Sequence, residues 1–227
     1  MPSQLGQDLL VLQLLDGKRG GFFLDSGAAD GVSASNTLLL EVQYGWTGIC
    51  VEPDAAFFES LVTNRRSHCV NCCLYDREKE VRFVEASTLG GIRSEYEPAL
   101  LNHAKTVFRL PVDAAGEPAT VIKTARTVRS VLREFRAPRV IDYWSLDTEG
   151  SELTILKSFP FDEYAFRVLT VEHNRYPVRE AIKDFLESRG YRRFAAIEID
   201  DCYVKQDFLE PVGSSWRSAA WRRRKAR

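Results

Sequence analysis

The chain has 227 residues, 44% of them apolar and 28% charged, with a formal net charge of −1. That balance fits a folded globular domain and excludes a wholly disordered chain, a collagen and a coiled coil. No apolar run approaches the roughly 18 residues needed to cross a bilayer. The longest early run, residues 9–15, is broken by Gln13 and lacks a preceding basic segment, which argues against a signal peptide.

In chain order, residues 3–16 read as an amphipathic helix. Phe22 to Asp25 is the first strand, and a helix from Asn36 to Gln43 stops near Gly45. Thr47 to Glu52 is the second strand, after which Pro53 suits the start of a helix reaching about Asn64. His68 to Leu74 reads as the third strand. Between residues 85 and 120, Gly90, Gly91, Pro98, Pro111, Gly116 and Pro118 break the periodicity. An irregular, lid-like insertion over the active face is expected there. Arg126 to Arg136 is a helix closed by Pro138, and Val140 to Leu146 is a strand apolar enough to be buried on both faces. A helix from Glu149 to Lys157 places its acids early and its lysine late, as the helix dipole favours. Phe166 to Val171 is the fifth strand, and a helix from Pro177 to Arg189 ends at Gly190. Tyr191 to Ile199 and Cys202 to Gln206 read as an antiparallel pair joined at Asp200-Asp201. The alternation predicts one α/β domain over residues 1–215.

Residues 216–227 carry +6 and no acid, leaving −7 on the rest. This basic tail, with Trp216 and Trp221, reads first as a solvated terminus and second as a contact for RNA or an anionic lipid surface. Nothing in the body of the chain resembles a nucleic-acid module, so a nucleic-acid partner is not expected. The five cysteines are Cys50, Cys69, Cys72, Cys73 and Cys202. An odd count without a secretory signal points to a reducing, cytoplasmic setting. Cys69 and Cys72 form a CxxC, but no second pair completes a zinc site; small buried apolar side chains are the better reading.

The strongest local signal is Asp25-Ser26-Gly27-Ala28-Ala29-Asp30-Gly31, a strand running into a glycine turn. Such a turn brings backbone amides close to a ligand at the carboxyl edge of a parallel sheet. Glu52, ending the second strand, is placed to accept both hydroxyls of a ribose. Dinucleotides and amino-acid-bearing nucleosides both use this arrangement. Asp25 and Asp30 flank the turn where a dinucleotide would put its pyrophosphate, and like charges repel. S-adenosylmethionine carries a sulfonium and an ammonium instead, which acids attract. The bland reading is that turn and acids are a turn and its caps.

Three stretches resemble the FkbM-type methyltransferases: residues 25–41 (DSGAADGVSASNTLLLE), residues 45–53 (GWTGICVEP), and residues 143–153 (YWSLDTEGSEL) with Leu156-Lys157 following. The start at Ser3-Gln4-Leu5-Gly6-Gln7-Asp8 is also similar to many members. The resemblance implies a class I, Rossmann-like methyltransferase sheet, mostly parallel with a C-terminal antiparallel hairpin and helices on both faces. It implies S-adenosylmethionine as donor, and usually O-methylation of a sugar or natural-product hydroxyl. By position, Asp25, Gly27, Ala28, Asp30 and Gly31 should line the methionine end of the donor, and Asn36 and Thr37 its carboxylate. Glu52 with Pro53 should take the ribose, and Cys72 and Cys73 should lie near the adenine.

A hydroxyl acceptor usually needs a base beside the donor's methyl, at the ends of the fourth and fifth strands. Asp147, Glu149, Glu172 and His173 lie there. A carboxylate cluster would raise the imidazole's basicity, so His173 is the expected base, with Asp147 or Glu149 orienting the acceptor. The same four residues are also a donor set for magnesium or manganese, though nothing in their spacing demands a metal. Tyr143, Trp144, Tyr164 and Tyr176 are aromatic candidates for a sugar pocket, with core packing favoured for Tyr143 and Trp144. The competing functions are N-methylation of an amine, and a non-catalytic nucleoside-binding adaptor acting through its basic tail.

Overall fold

A computed structural model describes residues 3–174 and 176–209 of the chain. In order the elements are α1 (Gln7–Leu14), β1 (Phe22–Ser26), α2 (Leu38–Tyr44), β2 (Thr47–Val51), α3 (Ala55–Asn64), β3 (His68–Val70), β4 (Cys73–Leu74), β5 (Lys79–Val84) and β6 (Gly91–Ile92). There follow α4 (Pro98–Val107), β7 (Val121–Arg126), α5 (Val128–Glu134), β8 (Val140–Leu146), α6 (Glu152–Ser158), β9 (Ala165–Glu172), α7 (Val178–Ser188), β10 (Tyr191–Ile197), β11 (Asp200–Lys205) and α8 (Gln206–Leu209).

Seven strands form the main sheet in the order β10-β11-β9-β8-β1-β2-β3. β1, β2, β3, β8 and β9 pair in parallel. β11 runs antiparallel to both β9 and β10. This is the expected mostly parallel sheet with a C-terminal antiparallel hairpin. The strand order reverses between β1 and β8, and ligands of open α/β sheets bind in the crevice outside the carboxyl ends at such a switch point.

Alternation along the strands feeds two cores. Phe23, Cys50, Tyr143 and Val168 face a layer built with Val11 and Leu12 of α1, Leu40 of α2 and Leu61 of α3. Leu24, Ile49, Trp144 and Leu169 face the opposite layer, with Val131 of α5, Ile155 of α6 and Leu186 of α7. Helices therefore cover both faces, and burial on both sides explains why β8 reads as a continuous apolar run.

Several boundaries differ from the sequence reading. The third strand is broken at Asn71, whose amide donates to the carbonyls of Glu52 and Pro53. His68–Val70 stay in the main sheet, whereas Cys73–Leu74 join a second sheet of order β4-β7-β5-β6. The supposedly irregular stretch between 85 and 120 contains the ten-residue helix α4, entered through Pro98. Pro53 precedes α3; Asp54 is its cap, its carboxylate accepting the amides of Ala56 and Phe57. Glu149 lies ahead of α6 in a loop with φ 57, and Asp200 and Asp201 belong to β11, the hairpin turning at Glu198 and Ile199. Residues 216–227 lie outside the described residues. No described helix is long and apolar enough to cross a membrane.

Candidate functional site

The loops after β1 and β8 meet at the switch point. The amide of Asp147 donates to the carbonyl of Ser26 at 3.0 Å. Gly27 has φ 85, and a Cβ there would sit 1.9 Å from the carbonyl oxygen of Asp147. Only glycine allows both that backbone and that approach. Gly31 (φ 78) is glycine for a different reason: its Cβ would meet Arg65 Cγ and Leu61 Cδ1, each at 2.7 Å. The second glycine of the turn makes room for a buried side chain.

A cavity of about 310 Å³ opens over these loops. Of the residues expected to hold a donor, Asp25, Gly27, Ala28, Asn36, Glu52, Pro53, Cys72 and Cys73 line it; Asp30, Gly31 and Thr37 do not. Asp30 caps its own turn, accepting the amides of Val32 and Ser33 and the Ser33 hydroxyl. Thr37 is buried behind the wall and donates its hydroxyl to Asp25 Oδ2 at 2.5 Å. Burial pushes the Asp25 carboxyl upward against the pull of the Arg65 guanidinium and the Thr37 hydrogen bond. Glu52 accepts the amides of Ala29 and Asp54, each at 2.8 Å, and burial raises its pKa to about 7. Burial likewise pushes the Cys72 and Cys73 thiols up to about 12, as expected of apolar wall residues.

At the far wall stand Asp147, Glu149, Glu172 and Asn174. The Asn174 amide donates to Glu172 at 2.7 Å and to Glu149 at 3.3 Å, joining the two carboxyls. Burial, then the charge of Asp147 and neighbouring glutamates, holds Glu149 and Glu172 well above the usual carboxylate range. Asp147 rises to about 8, through burial and the charges of Asp200, Glu152 and Asp25. His173 is not part of this wall. Along the strand end Glu172 and Asn174 face the cavity, while His173 turns to β11, where its Nε2 lies 3.8 Å from Asp201 Oδ1. Burial lowers its basicity, opposite to the expected rise. The imidazole sits beside an aspartate already held by Arg179 at 2.7 Å, away from the carboxyls meant to activate it.

Among the described residues, Asp147, Glu152 and Glu172 bring carboxylate oxygens within 4.8 Å of one another. This replaces the expected metal set, since Glu149 and His173 drop out and Glu152 enters. Glu152 is already committed, accepting the amides of Thr148 and Gly150 and the Thr148 hydroxyl. The candidate aromatics do not floor the cavity: Tyr143, Trp144 and Tyr164 are core residues, and Tyr176 packs beside Tyr96 and Leu100 of the insertion. Sequence reasoning missed Ser145, a cavity residue. Period-two alternation back from Asp147 would have found it.

A family model described as the methyltransferase FkbM domain matches residues 25–193. The chain belongs to the FkbM methyltransferase-domain family. Membership implies S-adenosylmethionine as the methyl donor, and the cavity has the chemistry to take it: an acid-flanked glycine cradle, and an Asn36 Oδ1 buried without a hydrogen-bond partner among the described residues. Among solved structures, an FkbM methyltransferase from Methylobacillus flagellatus is 13% identical with TM-score 0.47, covering 82% of this chain and 43% of that one. This FkbM chain thus spans less than half of that protein. The N-terminal domain of human METTL16 is 13% identical with TM-score 0.47, covering 90% and 70%. A proposed RNA methyltransferase of Pyrococcus horikoshii is 17% identical with TM-score 0.44, covering 88% and 82%. No curated protein matches the chain.

Proposed function

We propose that this FkbM-family chain transfers the methyl group of S-adenosylmethionine to a hydroxyl of a small, non-anionic molecule such as a sugar or glycosylated metabolite. The observation that carries this reading is the charge of the cavity: its described lining holds five carboxyl groups and no lysine, arginine or histidine. A phosphate-bearing acceptor or a dinucleotide would meet like charge in a low-dielectric crevice, whereas a cationic donor and a neutral acceptor would not.

The donor supplies a methyl group already activated by its sulfonium, so alignment and proton removal are left to the protein. Asp25 and the Asn36 carbonyl accept from the donor's ammonium, Glu52 accepts from its ribose hydroxyls, and Cys72 and Cys73 border its base. The base role moves from His173 to the carboxyls. Burial and nearby carboxyls give Asp147, Glu149 and Glu172 a higher proton affinity than an exposed acid, so an ionised member is a stronger base than a surface carboxylate. Glu149 or Glu172 takes the acceptor's proton while Asn174 holds the pair in register.

A second reading is favoured by the same all-carboxyl lining. With no imidazole in the described lining, an amine acceptor needs only its ammonium proton removed, a smaller demand on a carboxylate than taking an alcohol's proton. Donor turnover against matched alcohols and amines separates the two. Preferential use of amines contradicts the hydroxyl reading; use of phosphorylated acceptors contradicts both. The adaptor reading depends on residues 216–227; methyl transfer that persists on their deletion with no loss of partner binding contradicts it.

A further inference from the structure

Arg65 follows α3, and its side chain is fully buried. Its Nε donates to Glu41 Oε2 at 3.1 Å. Its terminal nitrogens donate to the Gly31 carbonyl and the Ser35 hydroxyl, each at 3.2 Å, and to Thr37 Oγ1 at 2.9 Å. Thr37 in turn donates its hydroxyl hydrogen bond to Asp25 Oδ2, which lies 4.0 Å from the guanidinium. One planar cation thus grips the middle and the α2 end of the turn between β1 and α2, and reaches Asp25 through a hydroxyl. The guanidinium also lies 5.4 Å from the Phe23 ring centroid. Glu41 balances its charge and is held in turn by the Arg66 amide.

We propose that Arg65 is a positioning residue for donor binding: it fixes the turn that cradles the donor and, through Thr37, holds the Asp25 carboxyl aimed into the cavity. This rests on the reading of Asp25 as the acceptor of the donor's ammonium. Five donors in a rigid fork can serve Glu41, Gly31, Ser35 and Thr37 together, whereas a lysine ammonium offers three donors at one point. The glycine at position 31 is part of the same device, since a side chain there would displace the Arg65 stem. Asp25 is faced by Arg65, Thr37 and Ser145, which favour its charged form, and by Glu41. Glu52, Asp147, Cys50 and Tyr143 also feel its charge. Arg65 is the cation in that set.

The test uses Arg65→Lys and Thr37→Val, with Arg66→Ala as an exposed neighbour that should behave as wild type. Calorimetric titration with S-adenosylmethionine from pH 6 to 9 is combined with methyl-transfer kinetics. The expected result is a donor Kd raised at least about tenfold in R65K and about threefold in T37V. In both, kcat at saturating donor stays within about threefold. A purely structural arginine would lower Tm while leaving donor Kd unchanged, and that result overturns the proposal. If R65K does not fold, T37V carries the test alone, because it removes the relay and leaves Arg65 on Glu41. Wild-type protein that binds no donor at any pH refutes the donor reading itself and takes this inference with it.

Discussion

Gly27→Ala is the most sharply defined perturbation of the site. The added methyl would lie 1.9 Å from the Asp147 carbonyl oxygen, on a residue with φ 85. A left-handed conformation costs a non-glycine residue about 1–2 kcal/mol. Relieving the overlap means parting the β1 and β8 loops by about 1 Å or more, an overpacking cost of about 1–3 kcal/mol. Together these give a loss of roughly 2–5 kcal/mol, and a Tm fall of roughly 4–20 °C for a chain of this size. The separation also opens the donor cradle, so donor affinity should fall with stability. Differential scanning calorimetry with and without S-adenosylmethionine measures both. A variant melting within about 2 °C of wild type, with donor binding retained, refutes the claim that close approach of the two loops builds the site.

Three further outcomes are expected. At least one of Glu149→Gln and Glu172→Gln should lower kcat at least about hundredfold with donor Kd little changed, while His173→Ala should keep turnover within about fivefold. The reverse pattern would restore the histidine as base. Glu52 has its pKa raised to about 7. It is therefore largely protonated below that pH and accepts hydrogen bonds fully only above it. Donor affinity should increase about tenfold between pH 6 and pH 8 and flatten in Glu52→Gln. The same shift has an opposite consequence for the unliganded protein. The folded state holds the Glu52 proton more tightly than the unfolded one, so this group's contribution to apo stability falls as pH rises from the ordinary carboxylate range through about 7. A chemical-denaturation series over that range, with E52Q alongside, checks the sign. Cys72 and Cys73, pushed up to about 12, should resist iodoacetamide at pH 8. Rapid alkylation of both in the folded protein would contradict their place in a dry wall.

The parallel sheet was legible because β1, β2, β8 and β9 are short apolar runs bounded by glycine, proline or charge, and burial on both faces leaves that imprint. The second sheet was not. β5 (KEVRFV) and β7 (VIKTAR) each leave charged or polar side chains exposed or half-exposed, and their short alternations merge with the loop signals around them. The donor turn was legible as a motif but only half understood. Gly27 is a site of close backbone approach, as the pattern implies, whereas Gly31 answers to Arg65, thirty-four positions away. No local pattern announces such a contact. His173 misled because neighbours in sequence were treated as neighbours in space, although successive strand residues point to opposite faces. The helix inside the 85–120 insertion escaped for want of periodicity, whereas Leu89, Gly90 and Ile92 of the same stretch line the cavity.

Calorimetric titration of the wild-type protein with S-adenosylmethionine and, separately, with NADH near pH 8 tests the central claim most directly. An acid-lined crevice at the β1/β8 switch point predicts saturable one-to-one binding of the sulfonium nucleoside and no heat from the dinucleotide. Binding of NADH, or failure of S-adenosylmethionine to bind, would contradict it.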